Sequence, residues 1–448
     1  MMNQTEYILE PERSIPVLKK TDVVVVGGGP AGLSAAVTAS RLGLDTVLVE
    51  RYGCFGGNIT VCAVEPPSWY RMPKTVESKT VLSELEARAV SLGYSQPCMH
   101  NPPGVGMCHD AELFKVVCDE MVEQHAIEPL LHCMGVYPIL EGNTIKGIFT
   151  ESKSGRQAIL ARMVIDCTGD GDIAARAGVP YDKGDEFDGR MMGGTMVFSA
   201  SGVDIAVFKE YISNFADQIT NPYTLEGLWM PFKKAIDNGE MPGQNRFDIK
   251  YNLLTEAGEV TGINGVSWWD GKFDCTNIMD LTYAEMYLRK RVLEIIRILK
   301  KYQPGFEKAK LRNYAMQVGC RESRRIRGEY AVTRFDMIHQ SKFEDSIGVF
   351  PVHADGLGTI IVPDTDAYFE VPARIMIPQK IENLLVAGRC VSGTRAAVAT
   401  TREMNFCSIT GQGAAAMAAV AIRDQTVPRK VNMEKVQKEL VNMEIRIH

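Results

Sequence analysis

The chain lacks any run of the roughly 20 apolar residues that a membrane-spanning helix needs, so nothing in it is expected to cross a bilayer. It also lacks long runs of one charge. Its 49 Lys and Arg against 55 Asp and Glu leave a net charge of -6, spread along the sequence. That pattern offers no footprint for nucleic acid or for an anionic membrane surface. The stretch MMNQTEYILEPERSIPV has no apolar centre and carries Glu6, Glu10 and Glu12, which reads against a secretory signal and for the cytoplasm. No CxxC occurs, so local spacing encodes neither a zinc ribbon nor an iron–sulfur cluster. The cysteines number eleven, an odd and scattered set, read as reduced and mostly buried thiols. His100, Cys108 and His109 lie close in sequence without a second ligand pair, and no metal is expected. A chain of 448 residues exceeds one ordinary core, so two or three domain-sized units, a sizeable buried site and a small-molecule partner are expected.

What is present is glycine in telling places. Residues 23–36 read VVVVGGGPAGLSAA, an apolar β-branched run that meets three glycines and then small residues. Thr21–Val26 has the composition of a parallel strand buried on both faces; Pro30–Leu42 follows as a helix and Asp45–Glu50 as the next strand, making a βαβ unit. Gly27-x-Gly29-x-x-Gly32 fits a dinucleotide turn. The first glycine makes the tight turn, the second lets backbone approach a pyrophosphate, and the third lets helix close on strand. Glu50 ends the next strand, where a carboxylate can accept hydrogen bonds from an adenosine ribose and disfavours a ribose 2′-phosphate.

Further along, Asp110 can cap a helix through AELFKVVCDEMVEQ, with Leu113, Val116, Val117 and Met121 on one face. IKGIFTESKSGRQAILARMVIDCTG reads as two strands about a Ser154-Gly155 turn, then a buried strand ending at Cys167. After about residue 180 the texture changes to short segments, with one clear helix whose positions Leu281, Ala284, Leu288, Val292, Ile295 and Leu299 keep helical spacing until Pro304-Gly305. IENLLVAGRC and FCSITGQGAAAMAAVAI then return to the N-terminal texture, a strand and a helix of small residues. The expected fold is α/β: a Rossmann-like domain built from both ends of the chain (1–180 and 375–448) with an inserted α+β substrate or cap domain (181–374).

Four stretches carry a resemblance: ERYGCFGGNIT, VIDCTGDGDIAARAG, NLLVAGRC with its TGQGAA helix, and VGCRESRRIRGEYAVT. In this order they resemble the motifs of the FAD-dependent oxidoreductase family, within the glutathione reductase-like flavoproteins. The resemblance runs from about Pro16 to Ile422 and is weakest between about 190 and 310. It implies FAD as cofactor, contacted by Gly27, Gly29, Pro30, Ala31, Gly32, Glu50, Arg51, Gly56, Gly57, Asn58, Val136, Thr168, Gly169, Gly388, Arg389, Met404, Gly411 and Gln412. Asp170 and Asp172 are expected to organise the turn after Gly169. The helix near Phe406 or Cys407 is expected to aim its positive end at the flavin N1 and C2 carbonyl. Two departures matter. Asn58 to Val61 separate Gly57 from a lone Cys62, with no CxxxxC pair, so disulfide reduction is not expected. Gly411-x-Gly413-x-x-Ala416 lies in a helix and is not read as a second nucleotide site. Cys54 stands where the family has an apolar residue and is read as a packed thiol, with a flavin link or reactive thiol as the alternative.

Substrate chemistry at a flavin is hydride transfer at N5, with an acid or base near the reacting carbon. Candidates are Arg321 and Arg324 in GCRESRRIRGEY, His353 in FPVHADG and Arg374 in FEVPARIMIP. Against them stand ion pairing of the arginines with Glu322 and Glu329, and a structural histidine. Trp268-Trp269 is read as core. The expected activity is that of a dehydrogenase or reductase exchanging a hydride between a small organic substrate and flavin N5. A flavin oxidase or hydroxylase using oxygen, or a flavin-bearing electron-transfer subunit of a larger complex, is the alternative. A transient NAD(P)H or redox partner and a homo-oligomer are compatible with either.

Overall fold

The computed structural model describes residues 8–98, 106–214, 226–241, 249–265, 268–269, 273–363 and 365–448. Strand β1 (Val17–Val26) ends in four valines with at most 2% exposure, the burial that a continuous apolar run in a parallel sheet requires. Helix α1 (Pro30–Arg41) opens with proline at its first position, where the missing N–H costs nothing. Strand β2 (Thr46–Val49) then pairs parallel with β1. Asp110 caps α2 (Ala111–Glu123), its carboxylate accepting from the Glu112 and Leu113 amides at 2.9 and 3.0 Å. The buried face of α2 is Phe114, Val117, Cys118, Met121 and Val122. Leu113 and Val116, expected on that face, are exposed, because the stripe that meets the core begins at Phe114 and steps three and four residues from there.

The sheet is completed by β3 (Ile127–Leu130), β4 (Met134–Glu141), β5 (Thr144–Ser152) and β6 (Gly155–Asp166). Its order is β3-β2-β1-β6-β5-β4, parallel from β3 to β6 and antiparallel beyond. The Ser154-Gly155 turn is where the sequence placed it, with Ser152 facing Gly155.

A second body has its own apolar core, drawn from Met196 to Val318. There β7 (Phe198–Ser201) lies between β8 (Val260–Ile263) and β9 (Lys310–Tyr314), and α3 (Ile278–Tyr302) buries Ala284, Leu288, Val292, Ile295 and Leu299. The main core then takes up the chain again at Val332, earlier than residue 375. Phe350 of β10 (Ser346–Pro351) and Phe369 of β11 (Tyr368–Pro372) both belong to it. The apolar cores thus divide the chain near 195 and 320.

The C-terminal return closes the α/β body. Strand β12 (Leu384–Val386) pairs parallel with the last residues of β6, and α4 (Met404–Arg423) lies along α1. A Cβ on Gly411 would come within 2.1 Å of the Ala31 carbonyl oxygen, so glycine is what lets the two helices touch. Among the described residues α4 is the one helix long and apolar enough to cross a membrane, yet it is wholly buried against this core.

Candidate active site

The carboxyl ends of β1, β2 and β6 and the N-terminus of α1 border an open-sided cleft of about 1270 Å³. Gly27 leaves β1 at φ +101°, and a Cβ there would stand 2.7 Å from the Cys167 carbonyl oxygen. A Cβ on Gly32 would fall 1.7 Å from the Gly27 carbonyl oxygen, so only glycine lets α1 close on the turn. Opposite, Gly57 at φ +54° approaches Gly29, its notional Cβ 2.8 Å from the Gly29 Cα. Gly29 makes no side-chain cap on α1. The first-turn amides therefore remain available to an anion.

Acidic and basic groups fix the walls. Glu50, 7% exposed, accepts from the Gly28 amide at 2.7 Å and from the Tyr52 amide at 2.9 Å. These two bonds lock the glycine turn and leave carboxylate lone pairs over. Asp166 accepts from the amide and hydroxyl of Thr168 and from the Ala174 amide, and burial pushes its pKa up to about 6 against those bonds. Asp170 receives Arg389 at 2.6 Å. Burial raises the Asp170 carboxyl, but the guanidinium outweighs it and holds the group below its ordinary range. Arg389 also donates to Ser323 Oγ at 2.7 Å.

A second cleft of about 820 Å³ adjoins the first and shares Asn58, Cys320, Arg389, Arg402 and Met404 with it. Its own wall includes Trp69, Thr195, Lys250, Asn252, Asn264, Arg321, Asp355 and Glu403. Arg402 bonds Asp355 at 2.8 Å. Although burial raises the Asp355 carboxyl, Arg402, Lys250 and Arg321 together hold it well below the usual range.

The model of the FAD dependent oxidoreductase family matches residues 22–440. The chain belongs to that family. Curated relatives match only short stretches. A dihydrolipoyl dehydrogenase of Vibrio cholerae is 42% identical over 66 residues, 14% of either chain, and an NADH oxidase of Thermoanaerobacter brockii 41% identical over 70 residues, 15% of this chain and 10% of that protein. This chain is thus aligned with about a seventh or less of those relatives' length. Among solved structures, a geranylgeranyl bacteriochlorophyll reductase-like protein from Thermoplasma acidophilum covers 96% of this chain and 84% of its own, with TM-score 0.48 and 15% identity. The p-nitrophenol 4-monooxygenase PnpA from Pseudomonas putida covers 94% of this chain and 84% of its own, with TM-score 0.45 and 11% identity.

The first cleft fits the FAD of an FAD-dependent oxidoreductase on observations independent of the family. A glycine cradle stands where any Cβ would intrude, and α1 begins without a side-chain cap. At the other end α4 begins without one too, with Met404 and Cys407 lining the cleft.

Of the residues expected at the FAD, Gly27, Gly29, Pro30, Ala31, Glu50, Arg51, Gly57, Asn58, Thr168, Gly169, Gly388, Arg389 and Met404 line this cleft. Gly32 packs on the turn behind it, and Gly56 at φ +103° donates its amide to the Gly28 carbonyl at 2.9 Å. Val136 is not among the lining residues, whereas its neighbours Cys133, Met134 and Gly135 at the start of β4 are. Gly411 and Gln412 are not among the residues that line the cleft. Gly411 faces α1, and Gln412 Oε1 accepts from the Val81 amide at 3.1 Å, so both serve helix packing inside α4.

The expected acid–base candidates separate sharply. Arg321 lines the second cleft, where it donates to Thr195 Oγ1 and the Gly193 carbonyl. Arg324 does not line either cleft; it pairs with Asp172 at 2.9 Å, which employs that acid in an ion pair while Asp166 organises the turn. Arg374 is bound to Asp345 at 3.0 Å on a half-exposed surface. His353 is buried, stacked on Tyr70 at 4.4 Å, with its Nδ1 against the Ile361 carbonyl at 2.7 Å. It stands behind Glu403, which does line the cleft. Of the Arg–Glu pairings weighed above, Glu322 takes Arg325 at 2.9 Å and Arg395 at 3.3 Å, and Glu329 takes Arg429 at 2.6 Å.

Cys54 is a buried thiol 3.9 Å from Thr60 Oγ1, outside the cleft lining. His109 is buried with Nδ1 2.6 Å from Ser95 Oγ; His100 lies outside the described residues. Trp268 and Trp269 form a short strand against Gly194 and Thr195, their side chains outside what is described. Lys250, Asn252, Asn264, Asp355, Arg402 and Glu403 were missed by sequence reasoning. Only Arg402-Glu403, directly ahead of the small-residue helix, offered a signal.

Proposed function

We propose that the first cleft holds the FAD and the second is the chamber in which a small organic substrate meets it. The shared wall of Asn58, Cys320, Arg389, Arg402 and Met404 carries this reading, because a molecule in one cleft then borders a molecule in the other. When bound, FAD supplies two-electron chemistry, a hydride passing between it and a substrate carbon. The backbone at Gly27, Gly29 and Gly57, with the N-terminus of α1, holds the pyrophosphate. The spare lone pairs of Glu50 take ribose hydroxyls. Arg389, fixed by Asp170 and Ser323, presents a rigid cation, and the N-terminus of α4 favours negative charge at its end of the cleft. The body around Met196–Val318 supplies Thr195, Lys250, Asn252 and Asn264 as the far wall, covers the substrate and keeps water out.

The reaction is dehydrogenation or reduction of a small organic molecule. The helical setting of Gly411 and Gly413 speaks against that stretch as a second dinucleotide site and supports a nicotinamide that acts as a transient partner. Eleven cysteines, all unpaired, support a reducing cytoplasmic setting. The test is flavin content after gel filtration. Glu50→Ala and Arg389→Met are expected to release FAD while the far-ultraviolet dichroism persists. Full retention in both variants overturns the assignment of the cleft.

A further inference from the structure

We propose that Cys98 and Cys108 are a modification site, a thiol pair that hydrogen peroxide closes to a disulfide, locking a hairpin that braces the wall of the second cleft. The chemistry of the pair does not depend on what either cleft holds.

The backbone brings the two cysteines together. A short hairpin pairs Ser95–Pro97 antiparallel with Met107–His109, and Gln96 faces Cys108. The Cys98 amide donates to the Gly106 carbonyl at 3.0 Å, which carries the pairing one step further. Cys98 lies two residues from Gln96, so it and Cys108 are diagonal neighbours on one face. Their Sγ atoms stand 3.1 Å apart. Sulfur is larger than oxygen, yet these two sulfurs are closer than Cys54, Cys62, Cys275 and Cys407 come to their oxygen acceptors, 3.5 to 3.9 Å away. A disulfide of about 2.05 Å needs them to close by roughly 1 Å, a turn of side chains rather than a shift of backbone. Among the described residues no third His, Cys, Asp or Glu completes a metal-binding group with them. His109, one residue on, turns to the other face and meets Ser95 Oγ at 2.6 Å.

The peroxide balances the reaction. One thiol, as its thiolate, attacks a peroxide oxygen; the O–O bond breaks, water leaves and the sulfur becomes a sulfenic acid. The second thiol attacks that sulfur, the S–O bond breaks and a second water leaves. Two thiols thus give up two electrons and two protons, and the peroxide becomes two waters. Cys98 is 6% exposed and Cys108 2%, so Cys98 meets the oxidant first. Contact with Cys98 and burial push the Cys108 thiol well above its ordinary range, which suits it to the second step. Hydrogen peroxide is little larger than water, and a hairpin of three residues a side opens locally at small cost.

The hairpin bears on the second cleft through the segment that follows Lys250 and Asn252, two residues of its wall. Leu253 is buried against both thiols. Gln96 Nε2 donates to the Leu254 carbonyl at 3.2 Å, and Gln96 Oε1 accepts from the Leu254 amide at 3.3 Å. A covalent tie two residues beyond Gln96 holds that clamp shut.

The experiment uses the full chain loaded with FAD, reduced with dithiothreitol and freed of it. It is then held with hydrogen peroxide, quenched with catalase, denatured and labelled with N-ethylmaleimide. Both cysteines fall in one tryptic peptide, Ala89–Lys115. Mass spectrometry is expected to show this peptide losing both labels together, with a bond between Cys98 and Cys108, and regaining both labels after dithiothreitol. Retention of both labels, loss of one alone, or a bond from either cysteine to a different one overturns the site. Hydrogen exchange reads the brace separately. The Leu254 amide is expected to exchange about tenfold more slowly in the oxidised chain, with no slowing in Cys108→Ser treated alike. A disulfide that forms while this amide exchanges as before overturns the brace.

Discussion

The two adjoining clefts are built on different plans. The first is shaped by backbone: glycines whose missing Cβ atoms leave the space, and helix ends whose amides are left over. The second is shaped by long polar side chains from segments far apart in sequence, Trp69, Lys250, Arg321, Asp355 and Glu403. Backbone recognition tolerates few alternatives at each position and therefore writes a spaced pattern into the chain. Side-chain recognition needs only that ordinary residues converge in space, and convergence has no spacing.

Substitutions can break this contrast in order of severity. Gly32→Ala places a methyl where the Gly27 carbonyl oxygen already stands, and is expected to cost about 3 kcal/mol in urea unfolding and to abolish FAD retention. A wild-type midpoint would deny that the cradle depends on the missing Cβ. Near the second cleft, Glu65 is buried with Thr261 Oγ1 donating to it at 2.8 Å, and burial pushes its pKa up to about 8. Because the folded value lies above the unfolded one, the unfolded chain gives up this proton first and stability falls progressively as pH rises from about 5 to 8. Glu65→Gln is therefore expected to flatten that fall, gaining on the order of 2 kcal/mol over the parent by pH 8. Parallel stability–pH curves for the two proteins would reject a buried, protonated Glu65.

Smaller effects separate packing from binding. Gln412→Ala leaves the Val81 amide unserved and is expected to cost about 1–2 kcal/mol while FAD content stays whole. Loss of flavin at unchanged stability would restore Gln412 to the cofactor. Arg374→Ala breaks a partly exposed pair, so about 1 kcal/mol or less is expected with turnover unaffected. A large drop in turnover would return Arg374 to the chemistry.

The same contrast explains what could be read in advance. The strand–turn–helix at Gly27, the acid at Glu50 and the return of the C-terminal strand and helix were legible because each is a local pattern with one physical meaning. Gly411 shows the limit of such patterns, because a glycine in a small-residue helix signals close approach without saying to what; the neighbour here is α1. His353 had left a catalytic and a structural reading open. A histidine between strands looks available, yet its neighbours Tyr70 and Trp69 bury it, and the carboxylate ahead of it faces the cleft. Arg324 was a candidate as a member of a basic cluster and Arg374 by its place ahead of the C-terminal return, but each already has an aspartate, and those aspartates come from other segments.

The placement of β12 has a consequence for how the protein comes into being. The last residues of β6 keep an open edge until Leu384–Val386 arrive from far downstream, and the wall begun by Met404 arrives later still. Pairings of such long range form late and slowly, after the local βαβ unit has collapsed. A chain emerging from the ribosome therefore carries its glycine cradle early and a closed binding cleft only once Met404 and the helix it opens have been made, so capture of FAD is a late event of assembly and its supply can govern how long that edge stays exposed to aggregation.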